Sequence, residues 1–276
     1  MLRKVLVKVR DPFLPLLWRL VRDNLYIRIK GAPDFPNSAS SSKLAIDLTI
    51  RGINESLEEL IGVLFDKPSI SSSDEIKLCK KGKDISAQFV SQFSKNGSDK
   101  STTHSYHHVY ASLICNSKTP IRSILEIGIG TNNVNLPSNM GRKGRPGASL
   151  RSWQELLPNA TIIGADIDED ILIFENNISS FLLDQTSNES WGELKLKLKG
   201  NRFDLIIDDG LHSPLANLKT IRHSLDLLSP RGVLIVEDIA ERSLPYWVLF
   251  CNVGIEGYKC QIIQAGKCYL LLVSKM

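Results

Sequence analysis

The sequence predicts an α/β protein with a mostly parallel sheet, an antiparallel carboxyl-terminal hairpin and a small helical amino-terminal extension. Four aliphatic runs predict the parallel sheet: ILEIGIG (residues 124–130), IIGADID (162–168), FDLIIDDGLH (203–212) and VLIVEDI (233–239). Each stops at glycine or a carboxylate, as buried parallel strands do when a ligand site lies beyond their carboxyl ends. Amphipathic stretches between the runs supply the crossover helices that parallel strands need. Two further strand-like segments flank Ala265 and Gly266 and predict the hairpin. With 276 residues, the chain has room for one such domain, placed at 96–276, and a smaller appended part at 1–95.

Composition is that of an ordinary globular protein, with 42% hydrophobic and 23% charged residues, which excludes a disordered or membrane-embedded chain. The net charge of +4 is unevenly spread: residues 1–31 hold eight Lys or Arg against two Asp, so the remainder is slightly acidic. A nucleic-acid partner is not expected, because the basic excess is remote from the acidic strand ends. Five scattered cysteines without metal-ligand spacing fit a reduced, cytoplasmic setting. No signal peptide is expected, and no run reaches the roughly 18 apolar residues of a membrane span.

In chain order, residues 1–31 read as a short strand and a basic amphipathic segment. Such a segment suits packing on the domain or on a neighbouring subunit of a homo-oligomer, or peripheral contact with an anionic membrane surface. Residues 32–42 read as a linker, 44–65 as a helix and the neighbourhood of 85–93 as another, together capping the core domain. Residues 96–114 pass from a polar turn into a helix with Tyr106, Tyr110 and Leu113 on one face. His104, His107 and His108 cluster at its start; zinc spacing is present, but no Cys or carboxylate completes a site there.

The first core strand ends at Glu126 in EIGIG, where Gly128 and Gly130 allow a tight turn and close ligand approach. Asn133 stands where a dinucleotide fingerprint has its third glycine, which counts against NAD or FAD. Residues 131–148 form a Gly-, Pro- and Asn-rich insertion read as a lid, with Arg142, Lys143 or Arg145 available to an acidic acceptor. Ser149 is expected to cap the following helix. The second strand ends at Asp166, whose two carboxylate oxygens suit the paired hydroxyls of a ribose. The third ends at Asp184 and Gln185, where a side chain can read an adenine amino group. Residues 186–199 hold a turn and a helix with Trp191, Leu194 and Leu198 inward.

The fourth strand ends in Asp208, Asp209, Gly210, Leu211 and His212; a helix over 214–228 and a turn at 230–232 lead to the fifth, ending in Glu237 and Asp238. Adjacent strands would gather Asp209, Glu237 and Asp238 at one rim. Three close carboxylates repel one another unless a cation compensates them, and oxygen ligands of this kind suit Mg²⁺. His212 is placed to serve as general base. A helix over 244–251 and strands over 258–263 and 268–273 complete the chain.

GSDK, HSY, EIGIG, PGASLRSW, GADID, DQT, DDGLH and VEDI, in this order from about residue 97 to the end, resemble the class I S-adenosylmethionine-dependent methyltransferases. Within that class they resemble the Mg²⁺-dependent sugar O-methyltransferases of the mycinamicin and macrocin type. The resemblance implies a Rossmann-like, seven-stranded methyltransferase sheet and the cofactors S-adenosyl-L-methionine and Mg²⁺. It implies cofactor contacts at Glu126, Gly128, Gly130, Ser149, Asp166, Asp184 and Gln185, with Tyr106 and Asp208 beside them and His104 at the pocket's edge. By the same resemblance the metal ligands match Asp209, Glu237 and Asp238, and the base matches His212. The acceptor it implies is a sugar hydroxyl of a glycan, glycolipid or glycosylated metabolite, as in polysaccharide or antibiotic tailoring. Leu211 and the longer 131–148 insertion depart from the pattern on the acceptor side. Two other readings stay open: a cephalosporin hydroxylase-type relative with the same acidic site, and a non-catalytic assembly protein that binds the cofactor. A sugar epimerase or dehydrogenase is disfavoured by the missing glycine and the lack of a YxxxK pair.

Overall fold

The computed structural model describes residues 57–63 and 70–276. The chain divides into two compact units, Met1–Asp66 and Lys67–Met276. In the first, residues 57–63 are helical, within the helix expected over 44–65; the expectations for 1–31 and 32–42 lie outside the described residues.

The second unit is built on one nine-stranded sheet. Its strands are β1 (Ile70–Ser72), β2 (Ser123–Ile127), β3 (Thr161–Asp166), β4 (Phe174–Glu175), β5 (Ile178–Leu182), β6 (Phe203–Asp208), β7 (Leu228–Ile239), β8 (Tyr258–Ala265) and β9 (Cys268–Lys275). They lie in the order β1-β8-β9-β7-β6-β2-β3-β5-β4. The pairs among β5, β3, β2, β6 and β7 are parallel, while β9 runs antiparallel to both β7 and β8. This is the expected seven-stranded sheet with its antiparallel finish, extended by a short strand at each edge. β4 folds back on β5, and β1 adds in parallel to β8. The direction of winding reverses between β2 and β6, so a crevice opens beyond their carboxyl ends.

The helices are α1 (Lys80–Asn96), α2 (Tyr106–Asn116), α3 (Ala148–Leu156), α4 (Asn188–Leu198), α5 (Pro214–Ser224) and α6 (Leu244–Val253). Ser187 and Ser213 cap α4 and α5 by accepting backbone N–H groups three residues on. Trp191, Leu194 and Leu198 are buried, as the helical spacing predicts. Two local expectations are corrected. α3 begins after Gly147, so Ser149 lies within its first turn rather than capping it. The turn expected at 230–232 lies inside β7, absorbed where the register jumps from Phe203↔Leu228 to Leu205↔Val233.

α1, α2 and α3 meet around Trp153. Its ring packs edge-on against Phe89, Phe93 and Tyr110 at centroid separations of 5.3, 5.4 and 4.9 Å. Aromatic pairs in this geometry add about 0.5–1.5 kcal/mol each beyond their buried area. α1 therefore belongs to the core of the unit that begins at Lys67, whereas the sequence reading set the domain boundary at 95/96. The same indole donates to Glu126 Oε2 at 3.0 Å, fixing a buried carboxylate at the end of β2. Among the described residues, no helix is long and apolar enough to cross a membrane.

Candidate active site

A cleft of about 810 Å³ opens beyond the carboxyl ends of β2, β3, β5 and β6. Gly128, Gly130, Ser149, Asp166, Asp184, Gln185, Asp209, His212 and Asp238 line it. Glu126, Asp208, Glu237 and Tyr106 do not; they are buried beneath or behind its wall and hold residues that do.

The backbone turn after β2 explains the glycine at 128. Its φ is +83°, and a Cβ there would lie 2.2 Å from the carbonyl oxygen of Asp209. Only glycine lets the β2 and β6 ends approach this closely. Across the cleft, Asp166 Oδ2 accepts the Ile129 N–H at 2.8 Å and Oδ1 accepts the Asp168 N–H at 3.0 Å. Burial pushes the Asp166 carboxyl up, and these two N–H groups oppose the rise. A carboxylate has about four acceptor positions, so two remain for a pair of adjacent hydroxyls.

The insertion after Gly130 is folded on itself. Asn132 donates to the carbonyls of Gly141 and Gly144, and the Met140 N–H donates to the carbonyl of Thr131 at 2.8 Å. Leu136, Pro137, Ser138, Asn139, Met140 and Lys143 form one wall of the cleft. Of the three basic residues expected to face an acceptor, Lys143 alone lines it; the Arg145 stem packs over Gly97.

The acidic rim is divided by strand alternation, because successive residues point to opposite sides. Glu237 turns into the core, where it accepts from Lys100 and from the Tyr110 hydroxyl. Asp238 adopts φ +53° and His212 φ +41°, left-handed conformations that cost non-glycine residues about 1–3 kcal/mol and cluster at functional sites. The Tyr106 hydroxyl donates to Asp238 Oδ1. His212 Nε2 lies 3.9 Å from Asp238 Oδ2, and His104 Nε2 lies 3.7 Å from Oδ1. Burial, then Asp238, drive the Tyr106 phenol far above its ordinary pKa, so it remains a donor. Ligand atoms of Asp209, His212 and Asp238 all lie within 4.8 Å of one another. Hard carboxylate oxygens facing a wet cleft fit a divalent ion such as Mg²⁺, which retains waters or substrate oxygens.

Lys100 was not anticipated. It enters from the turn before α2, is 2% exposed, and donates to Asp209 Oδ2 at 2.6 Å as well as to Glu237. Burial opposes its charge, but Asp209, Glu237 and Glu126 outweigh it and hold the ammonium above the ordinary lysine range. Burial also raises Glu126 and Glu237, with Lys100 opposing both shifts. The available signal was the excess of acid itself: buried strand-end carboxylates need a buried cation, and Lys100 sits in the polar turn already singled out.

No family model matches the chain. The 8-demethyl-8-alpha-L-rhamnosyl tetracenomycin-C 2'-O-methyltransferase of Streptomyces olivaceus is 25% identical to it over 189 residues, covering 68% of this chain and 46% of that protein. Demethylmacrocin O-methyltransferase of Streptomyces fradiae is 30% identical over 117 residues, covering 42% of this chain and 27% of that protein. The chain thus spans less than half the length of the curated relatives it matches. Among solved structures, the MycE methyltransferase from the mycinamycin biosynthetic pathway in complex with Mg, SAH and mycinamycin VI has a TM-score of 0.55 at 20% identity, covering 68% of this chain and 53% of that one. A second MycE structure, with Mg and SAH, has a TM-score of 0.54 at 17% identity, covering 85% and 63%. These structures share the fold.

Proposed function

We propose that this chain, a class I methyltransferase by fold and similar to sugar O-methyltransferases, transfers a methyl group from S-adenosylmethionine to a sugar hydroxyl of a glycosylated small molecule. The observation that carries the reading is the meeting of Asp209, His212 and Asp238 at one rim of a cleft whose other side is formed by Gly128, Asp166 and Asp184. S-adenosylmethionine supplies an electrophilic methyl group on a sulfonium centre. Asp209 and Asp238 would hold Mg²⁺, which would make a bound sugar hydroxyl more acidic; Glu237, buried behind the wall with Oε2 on Lys100, would join them as third carboxylate only when that ammonium lets go.

The remaining work falls to the chain's own residues. Asp166 accepts from the two ribose hydroxyls through the acceptor positions its backbone partners leave free. His212 removes the proton of the acceptor hydroxyl at Nε2, and Asp238, 3.9 Å away, stabilises the imidazolium that results. Leu136, Pro137 and Met140 give one wall of the cleft an apolar surface, against which a bound acceptor would displace water and strengthen the charged contacts beside it. Holding donor and acceptor in line contributes about 7–11 kcal/mol in the best model systems.

Incubation of the chain with methyl-labelled S-adenosylmethionine, Mg²⁺ and a panel of glycosylated small molecules tests this. Label is expected in an acceptor, and EDTA is expected to prevent its transfer. Undiminished transfer in EDTA would remove the metal from the reading. Absence of S-adenosylhomocysteine binding would remove the transferase reading altogether.

A further inference from the structure

Lys100 holds two of the three carboxylates proposed as metal ligands, Asp209 and Glu237, and it does so in the protein interior. A third carboxylate waits beside it. Glu126 Oε1 is buried, has no hydrogen-bond partner, and lies 3.4 Å from Lys100 Nζ. The other oxygen of Glu126 is fixed by Trp153, so this orphan oxygen stays aimed at the ammonium. The two already form a loose ion pair, so the ammonium has a second place to rest within a short movement that would complete the missing hydrogen bond.

The geometry points to Lys100 as an exchangeable internal counter-ion, a positioning residue that competes with the divalent cation for Asp209 and Glu237. This inference rests on the metal-assisted reading above. Without metal, Lys100 keeps the acidic strand ends together and compensates part of their charge. When the cation binds, the ammonium releases Asp209 and Glu237 and settles on Glu126 Oε1. No covalent bond or proton changes hands. Lys100 thereby lowers metal affinity while making the empty site tolerable.

The sign of one measurement separates this from a purely structural lysine. Titration calorimetry of Mg²⁺ into the full chain is expected to show K100M, and the more polar K100Q, binding tighter than wild type by about tenfold or more, since a competing unit charge is gone. E126Q is expected to bind about tenfold more weakly, because the ammonium loses its second resting place. In K100M/E126Q that penalty is expected to shrink, as a double-mutant cycle detects for groups that act on each other. A lysine that only supports the fold would leave affinity equal or lower in K100M and K100Q, and that result overturns the exchange. Additive effects in the cycle also overturn it, and E126Q reports even where the Lys100 variants are too unstable to purify. Wild-type protein that binds no Mg²⁺ overturns the metal-assisted reading and the exchange with it, whereas wild-type binding with unimproved K100M overturns the exchange alone.

Discussion

Gln185 donates its side-chain amide to Asp208 at 2.7 Å, and its carbonyl accepts the N–H of Leu211 at 2.9 Å. The amide also donates to Thr220 Oγ1 at 2.8 Å, so the side chain is fully engaged inside the protein. Asp208, which Asn217 also holds at 3.0 Å, is thereby tied through Gln185 to the loop carrying Asp209 and His212. Gln185→Ala leaves several buried groups unpaired and is expected to cost about 2–4 kcal/mol of stability. Turnover is expected to fall more than S-adenosylhomocysteine affinity, because the displaced loop carries His212, the proposed base. Chemical denaturation and calorimetry on the one variant check both parts.

The same contacts show where sequence reasoning reached its limit. The parallel strands were legible because both faces are covered, which makes each an unbroken aliphatic run. β1 and β4, of three and two residues, are too short to leave such a signature. Asp166 and Asp209 were legible because they end strands at the cleft. The inward turn of Glu237 depends on strand alternation and on the left-handed backbone at Asp238, which adjacency of two acids does not specify. Lys100 was missed because its partners lie 109 and 137 residues away. Gln185 was recognised as near the site, but which groups its amide serves is set by the packing of β6 and α5.

Asp166 is held by Ile129 and Asp168, so its loss removes both the proposed ribose acceptor and the clamp on the β2 turn. Hydrogen bonds to a charged acceptor contribute about 1.5–3 kcal/mol each. Asp166→Ala is therefore expected to weaken S-adenosylhomocysteine binding by about 100-fold or more, measured by titration calorimetry. Unchanged affinity would place the ribose elsewhere.

Gly128→Ala is expected to destabilise the protein by about 3 kcal/mol or more, through overpacking against the Asp209 carbonyl and the strain of a positive φ. Because the clash is with backbone, it cannot be relieved by turning a side chain. Thermal denaturation measures the loss, and a stability close to wild type would mean that the two strand ends can separate without cost.

His212 lies 31% exposed on the cleft wall, so removing its ring leaves little buried space to collapse. His212→Ala is expected to lower turnover by about 100-fold or more while S-adenosylhomocysteine affinity stays near wild type. Equal turnover in variant and wild type would transfer the proton-removal role to another group.

His107 gives a pH effect on stability that is separate from catalysis. Burial, reinforced by neighbouring His108 and opposed by Asp74, pushes its imidazole from 6.5 down to about 4 in the fold. The unfolded chain thus binds the proton more readily than the folded one, so stability from this residue is complete above 6.5 and is lost as pH falls from 6.5 towards 4. His107→Gln keeps a polar side chain of similar reach but cannot titrate. Urea midpoints of the two proteins are expected to converge across that window, the wild type losing more than the variant as acid is added. A difference that stays constant with pH would show that His107 is protonated equally readily in both states.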